Sequence, residues 1–390
     1  MKKFDLIISG GGMVGSISAV AACQSGLSVL LIESNSRPDL TENSDMDLRV
    51  SAISWQNIEY LKKLGIFQNL YSNRIAPYSH MQVWDTRSQA HINFDADFSS
   101  QSCLGYLLEN NNLVQAAWKS LDSYPTCEII TGHSIDSLEN TGSQVRVQLT
   151  DGHEFKSRAL ISAEGRKSKV REFVNIKTTE NDYHQFGLVA YLSIKDAPEF
   201  TAFQAFNEGG PIGVLPMGDN LFSIVWSLPK DKVDYWLSCD EQTFEQGIVN
   251  ALSNHEIAPK VTLKSARVAF PLTQLYAERY FNNRVVLCGD SAHGVHPLAG
   301  QGVNLGIGDV QLLFELLDSS VLKDDLLLHK NLRKYQRRRI SQVKETSEMM
   351  SFLHHMFKDD NHIKKPLRSL GMNLINQSPL KKWFMAQAGS

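Results

Sequence analysis

The arrangement that leaves this chain the fewest possible folds lies within its first 33 residues. Phe4-Asp-Leu-Ile-Ile-Ser9 predicts an apolar strand, Gly10-Gly-Gly12-Met-Val-Gly15 a tight turn, and Ser16 to Ser25 a helix. Val29-Leu-Leu-Ile32 predicts the next strand, with Glu33 at its tip. In such a strand–helix–strand unit the first glycine permits the turn and the second lets a pyrophosphate approach the backbone. The third allows close helix–strand packing, and the acid meets a ribose hydroxyl. The phosphates then rest on the helix N-terminus, where unpaired N–H groups and about half a positive charge are concentrated. A P-loop is excluded, because Gly15 is followed by Ser16-Ile17 and no lysine. The unit predicts an adenine dinucleotide site at Gly10, Gly12, Gly15 and Glu33.

A second stretch, Arg284-Val-Val-Leu-Cys-Gly-Asp-Ser-Ala-His-Gly-Val-His-Pro-Leu-Ala-Gly-Gln-Gly-Val-Asn-Leu-Gly-Ile-Gly-Asp309, adds the nature of the ligand. Arg284 to Cys288 reads as a short buried strand, broken by Gly289-Asp290, which leaves a carboxylate at its end. The loop passes Pro297 and enters the turn Gly300-Gln301-Gly302, which opens a helix. Glycines there let backbone approach a flat ligand, and a helix start suits an electron-rich ring that becomes anionic on reduction. This stretch resembles the Gly-Asp motif of the FAD-dependent aromatic hydroxylases, the flavoprotein monooxygenases. The resemblance selects FAD over a soluble nicotinamide at the first motif. It implies cofactor contacts from Gly289, Asp290, Gly302, Val303 and Asn304, with Pro297, Gly300 and Gln301 facing the flavin.

Three further segments resemble the ubiquinone-biosynthesis group within that family. Leu48-Arg49-Val50-Ser51-Ala52-Ile53 is typical of the group, and the resemblance lays Arg49 along the FAD near pyrophosphate and ribityl oxygens. A guanidinium suits the place, being permanently charged and forked toward phosphate; the competing reading is a surface salt bridge. Leu107-Leu-Glu109-Asn110-Asn-Asn-Leu113 falls where the family begins a helix with a polar side chain turned to the pyrophosphate, and Asn110 fits best. The third segment departs from its pattern. The usual Gly-Ala-Asp-Gly reads Ser162-Ala163-Glu164-Gly165 here, while Ser168, Val170 and Arg171 stay in step. In the family that aspartate serves both FAD and the nicotinamide reductant. Glu164 keeps the charge and adds a methylene, so its carboxylate has to fold back or shift its water partners.

The resemblance covers nearly the whole chain and implies a reaction. NADPH or NADH reduces FAD, and the reduced flavin captures oxygen as a C4a-hydroperoxide. The terminal oxygen then passes to an electron-rich carbon of a prenylated phenol or benzoquinol. No side chain is named as a general base. Water exclusion is required, since loss of peroxide would waste the reductant. The strands Ile212-Gly-Val-Leu-Pro216 and Phe222-Ser-Ile-Val-Trp226 read as walls for a greasy substrate.

The fold class expected is mixed α/β: a Rossmann-like FAD-binding domain, an inserted mostly antiparallel β-sheet substrate domain, and a helical C-terminal region. The FAD-binding domain is discontinuous, at 1–75, 100–182 and 268–340; the substrate domain takes 76–99 and 183–267, and the helical region 341–390. Along the way, Ser54 to Leu64 reads as a helix ended by Gly65, and His80 to Phe94 as strands of a second sheet. Tyr106 to Leu121 reads as helical, Cys127 to Ile130, Val145 to Leu149 and Leu160 to Ala163 as strands. Four strands follow between Leu188 and Leu228, and the residues after Asp309 read as helical.

Composition narrows the partners. A net charge of −3, with no basic strip interleaved with aromatics, gives no nucleic-acid surface. The five cysteines have no paired spacing, so no disulfide framework or zinc site is expected. Asp290, His293 and His296 are close in sequence, but the adjoining Pro297 and glycine turn fit a flavin cradle rather than a metal. The chain enters a strand at once and has no apolar run of about 18 residues, so a cytoplasmic protein is expected, with any membrane contact peripheral, at the inner face. The tail offers two readings: Leu367, Leu370, Leu374 and Ile375 beside Lys364, Lys365 and Arg368, then Lys381-Lys-Trp-Phe-Met385, dock on a membrane or pack on protein. A quinone-biosynthesis assembly or self-association is compatible with either. The rival functions are a flavin-dependent reductase of a prenyl lipid and a flavoprotein-like scaffold.

Overall fold

The computed structural model describes residues 1–88, 90–99, 101–255, 257, 260–294 and 301–358, with backbone alone at 98, 99, 301 and 349–358. Pro297, Gly300, His296 and the tail from Lys364 to Met385 lie outside the described residues, as does the Gln301 side chain.

The chain opens as its pattern predicts. Strand β1 (Lys2–Ser9) leads into helix α1 (Met13–Gln24) and strand β2 (Val29–Glu33). Every α1 residue from Gly15 to Cys23 is buried, and all but Ile17 and Val20 are small, so the helix can be enclosed on every side. Its two core serines satisfy themselves: Ser16 and Ser18 donate to the carbonyls of Gly12 and Val14 at 2.8 and 2.7 Å. β1 pairs in parallel with β2 on one side and with Glu154–Ser162 on the other. Parallel neighbours Cys127–Thr131 and Val285–Leu287 extend the sheet outward, so its middle comes from four distant parts of the chain. The run read as Leu160 to Ala163 is the buried end of that longer Glu154–Ser162 strand.

A small sheet joins β3 (Val50–Ser54) through Gly105–Glu109 to Ile75–Tyr78. Helix α2 (Trp55–Lys63) follows β3 directly, and α3 (Asn110–Leu121) follows Glu109. The reading of Tyr106 to Leu121 as one helix is therefore corrected at its start. Residues 105–109 are held extended by strands on both sides, and that pairing overrides the helical spacing of their leucines.

The second sheet has nine strands. Its path runs His293–Gly294, Val268–Ala277, Thr178–Ile194, Leu221–Pro229, Ile212–Gly218, Thr201–Phe206, His80–Asp85, His91–Asp95, and the ninth strand, Val261–Leu263, pairs with Thr178–Ile194 off this path. The sequence reading returns the chain to the nucleotide-binding half near Val268. By strand pairing, residues 268–277 still belong to the second sheet, matched to Thr178–Ile194 from Ala277↔Thr178 to Val268↔Val189. The short helix α4 (Lys169–Phe173) precedes this sheet, and α5 (Lys230–Ser238) and α6 (Glu241–Ala251) cover one of its faces. Neither α5 nor α6 is marked by the strand pattern of the sequence, and their position changes the chamber. Phe222, Ile224, Trp226, Ile212 and Val214 pack with Val233, Phe244 and Ile248, inside this half's own core. The greasy wall expected from those strands is thus corrected. Alternation turns their other face, with Tyr191, Leu215, Met217 and Leu221, toward Leu107, Val50 and Ala52 of the small sheet.

Helices α7 (Gln301–Leu316) and α8 (Asp325–Lys358) complete the described chain. Among the described residues, no helix is long and apolar enough to cross a membrane.

Candidate functional site

The first turn separates its glycines by cause. Gly10 adopts φ +98°, and a Cβ there would stand 2.5 Å from the Ala163 carbonyl oxygen. A Cβ at Gly15 would stand 1.8 Å from the Gly10 carbonyl oxygen. Both glycines are required by the protein itself. At Gly12 a Cβ would meet nothing within 4 Å, so the structure leaves open space directly at the start of α1. No side chain caps that helix and no acid lies in its first turn. Its first N–H groups therefore stand ready for an anion. Gly11 fixes the turn sideways: its N–H donates to Glu33 Oε2 at 2.5 Å, and its carbonyl accepts from Trp118 Nε1 at 2.8 Å. Trp118 was missed by the sequence reading, since nothing in a helix 107 residues away marks it as a turn-holder.

The second motif meets the first at one side chain. Gly289 adopts φ +58°, and a Cβ there would lie 3.0 Å from Val14 Cγ2; a Cβ at Gly306 would lie 2.5 Å from the same atom. Val14, in the first turn of α1, is thus seated on both glycines. Asp309 then holds the Gly289 turn from beneath. Its Oδ2 accepts from the Gly289 N–H and from His293 Nε2, each at 2.7 Å, and its Oδ1 accepts from Arg339 Nε at 2.5 Å. Burial acts against this charge, yet the neighbouring His293 and Arg339 keep the Asp309 carboxyl below the ordinary range. His293 Nε2 is therefore engaged with Asp309. Asp309 closes the quoted motif, but no role for it or for Arg339 was legible.

Asp290 is exposed at its own surface although protein crowds round it. The surrounding mass raises its carboxyl pKa, with His293 and Arg166 drawing it back. The Gly289–Ser291 turn links Val285–Leu287 of the first sheet to His293–Gly294 of the second. Asp290 consequently stands at the junction of the two sheets.

β3 gathers the remaining residues. The Arg49 carbonyl accepts from the Asn110 N–H at 2.9 Å, and Asn110 Oδ1 accepts from Ser51 at 2.6 Å. The Arg49 side chain is exposed and forms no ion pair among the described residues. Asn304 bolts the first turn of α7 to the same strand: its Oδ1 accepts from the Ser54 N–H at 3.0 Å, and its Nδ2 donates to the Ala52 carbonyl at 2.8 Å. Its amide is thereby engaged by protein. Val303 packs against the main core, and a Cβ at Gly302 would meet nothing within 4 Å.

Glu164 folds back onto β1 and its own turn. Ser9 donates to its Oε1 at 2.6 Å; Ser168 and the Val170 N–H donate to its Oε2 at 2.7 and 3.0 Å. Arg171 ties this turn to the second motif, donating to the carbonyls of Ser291 and Arg166 at 3.0 and 2.7 Å.

These features fit FAD: open space at Gly12 and Gly302, an uncapped helix start, an acid at the ribose end, and a free guanidinium and carboxylate along the cleft. Comparison with known proteins agrees. The family described as FAD binding domain matches residues 3–349. The mitochondrial ubiquinone biosynthesis monooxygenase COQ6 of Xenopus tropicalis is 31% identical, over 99% of this chain and 93% of that protein. The 3-demethoxyubiquinol 3-hydroxylase of Escherichia coli is 30% identical, over 97% and 96%. Among solved structures, PqsL of Pseudomonas aeruginosa, a probable FAD-dependent monooxygenase, shares the fold at a TM-score of 0.79 with 20% identity, over 95% of this chain and 100% of that one. The chain belongs to the FAD-dependent monooxygenases of ubiquinone biosynthesis.

Proposed function

We propose that this enzyme hydroxylates the aromatic ring of a polyprenylated phenol or benzoquinol, using molecular oxygen and NADH or NADPH. The observation that carries the reading is the seating of Val14 on Gly289 and Gly306, which joins both glycine motifs where the second sheet begins. In this reading Gly10, Gly12 and Gly15 bring α1 onto the pyrophosphate, and Glu33 exchanges the Gly11 N–H for adenosine ribose hydroxyls. Arg49 and Asn110 neutralise and orient the pyrophosphate from the β3 side. Asp290 accepts from the ribityl chain, and the start of α7, from Gln301 to Asn304, underlies the ring, which Pro297 and Gly300 face by the family resemblance. Bound there, reduced FAD supplies the activation of oxygen; the chain's own residues bind, orient and exclude water.

The substrate lies on the side of the second sheet that α5 and α6 leave uncovered. We divide the chain into an FAD-binding unit of 1–75, 100–182 and 268–340 around a substrate unit of 76–99 and 183–267, except that the strand 268–277 pairs within the second sheet and goes with the substrate unit. A prenyl tail partitions into lipid at about 0.8 kcal/mol per buried methylene, so the enzyme meets its substrate at a membrane surface or on a partner protein.

Two measurements test this. Oxygen uptake dependent on NAD(P)H and a short-tailed prenylphenol is expected to match hydroxylated product mole for mole. Anaerobic reduction of the prenyl lipid with no oxygen uptake would establish the reductase instead. Arg49→Ala and Asp290→Ala are each expected to weaken FAD binding about tenfold, the loss of one charge-assisted hydrogen-bond set. Parental affinity in both would displace the cofactor from this cleft.

A further inference from the structure

Two unusual residues in this chain explain each other. Ser9 is a buried hydroxyl, 2% exposed, at the end of a strand whose neighbours Leu6, Ile7 and Ile8 are wholly buried and apolar. A buried hydroxyl needs a partner, and here the partner is the Glu164 carboxylate. Glu164 is in turn the residue that departs from the family's aspartate. We infer that Glu164 is a positioning residue for the pyrophosphate turn, acting through Ser9, and that in this chain it does not present the nicotinamide. The inference rests on assigning the Gly10 turn to the FAD pyrophosphate.

The geometry argues it in three steps. First, the carboxylate is engaged at both ends, with one oxygen on Ser9 and the other on Ser168 and the Val170 N–H. Three of the roughly four acceptor positions of the carboxylate are thus taken by the protein's own donors. Second, its partners lie in two different segments. Ser168 caps α4, accepting from the Arg171 N–H at 3.0 Å, and is backed by the buried Ser162 hydroxyl at 2.8 Å. Ser9 belongs to β1. An aspartate, shorter by one C–C bond of about 1.5 Å, reaches one side of this bridge and not both. Third, the bridge closes the seam that shapes the turn. The Ala163 N–H donates to the Ser9 carbonyl at 2.8 Å, and the Ala163 carbonyl is the atom that forbids a side chain at Gly10. Ser9 and Ala163 thus set the height of Gly10, and Gly10 sets the position of Gly12 and the α1 N-terminus. Loss of the Ser9–Glu164 bond loosens that seam without removing any group that touches the cofactor.

The experiment is a double-mutant cycle on FAD affinity, read by flavin fluorescence on apoprotein, with far-UV circular dichroism and apoprotein melting beside it. Ser9→Ala and Glu164→Asp are each expected to weaken FAD about tenfold. The double variant is expected to be no weaker than either single one, because both remove the same bond. Glu164→Gln keeps the length and one carbonyl acceptor, and is expected to lose less than Glu164→Asp. With FAD saturating, stopped-flow reduction by NADH and NADPH is expected to proceed at the parental rate in every variant. Parental FAD affinity in Glu164→Asp, or additive losses in the double variant, would overturn the inference. So would slowed reduction at full FAD occupancy, which would return Glu164 to the nicotinamide. A lowered apoprotein melting temperature with unchanged FAD affinity would mean a structural role only, and overturns it as well. Failure of the parental protein to bind FAD would instead overturn the cofactor assignment, a separate outcome.

Discussion

Gly12→Val protein is expected to purify colourless, while the parent is yellow with one noncovalent FAD per chain. The two glycines beside it cannot carry this test. A side chain at Gly15 collides with the Gly10 carbonyl and one at Gly10 with Ala163, so those variants misfold before they lose a ligand. At Gly12 the backbone is extended, φ −68° and ψ −169°, which valine adopts readily, and its Cβ meets only open space. The variant is therefore expected to fold and melt like parental apoprotein, with the branched side chain standing where the pyrophosphate must lie. A loss of at least about 100-fold in FAD affinity, close to 3 kcal/mol, is the expected size. The ratio of flavin to protein absorbance reads it directly, and a fully yellow Gly12→Val protein would show that the dinucleotide lies elsewhere.

Asp309→Asn is expected to destabilise the protein by about 3–5 kcal/mol, the usual consequence of removing one partner from a buried ion pair. Arg339, 3% exposed, would keep its charge without a counter-ion, and the Gly289 N–H and His293 would lose their anionic acceptor. The pH dependence has a definite sign. The folded-state pKa of Asp309 lies below the ordinary value, so its stabilisation is complete above about pH 4 and is lost as pH falls through the lower folded value. The gap between parent and variant in denaturant unfolding is thus expected to narrow as pH falls below about 4. A gap already closing at pH 6 would mean that the carboxyl is not held low.

What was legible in the sequence follows from how local each constraint is. Gly10, Gly12, Gly15 and Glu33 could be read because a turn, a helix start and a strand tip are fixed by a few adjacent residues. The second sheet could be read from alternation, strand by strand, yet alternation gives two faces without saying which layer each one meets. Phe222, Ile224 and Trp226 were read as chamber walls for that reason, and α5 and α6 show that they are core. Asp309 with Arg339, Ser9 with Glu164, and Trp118 with Gly11 could not be read at all. Each pair joins segments 30 to 155 residues apart, and nothing in either partner's own neighbourhood names the other. The serine at position 9, a hydroxyl closing an apolar strand, was the one signal available for any of them.

The seating of Val14 on Gly289 and Gly306 also orders events during synthesis. Residue 14 leaves the ribosome nearly three hundred residues before the glycines that receive it. Until they arrive, the apolar flank of α1 and the edge of the Glu154–Ser162 strand that awaits Val285–Leu287 both remain uncovered. Long-range closure of this kind is slow and leaves a sticky intermediate. The nascent first half is therefore a natural client for chaperones, and a truncated chain ending before about residue 310 would aggregate rather than persist as a smaller folded unit.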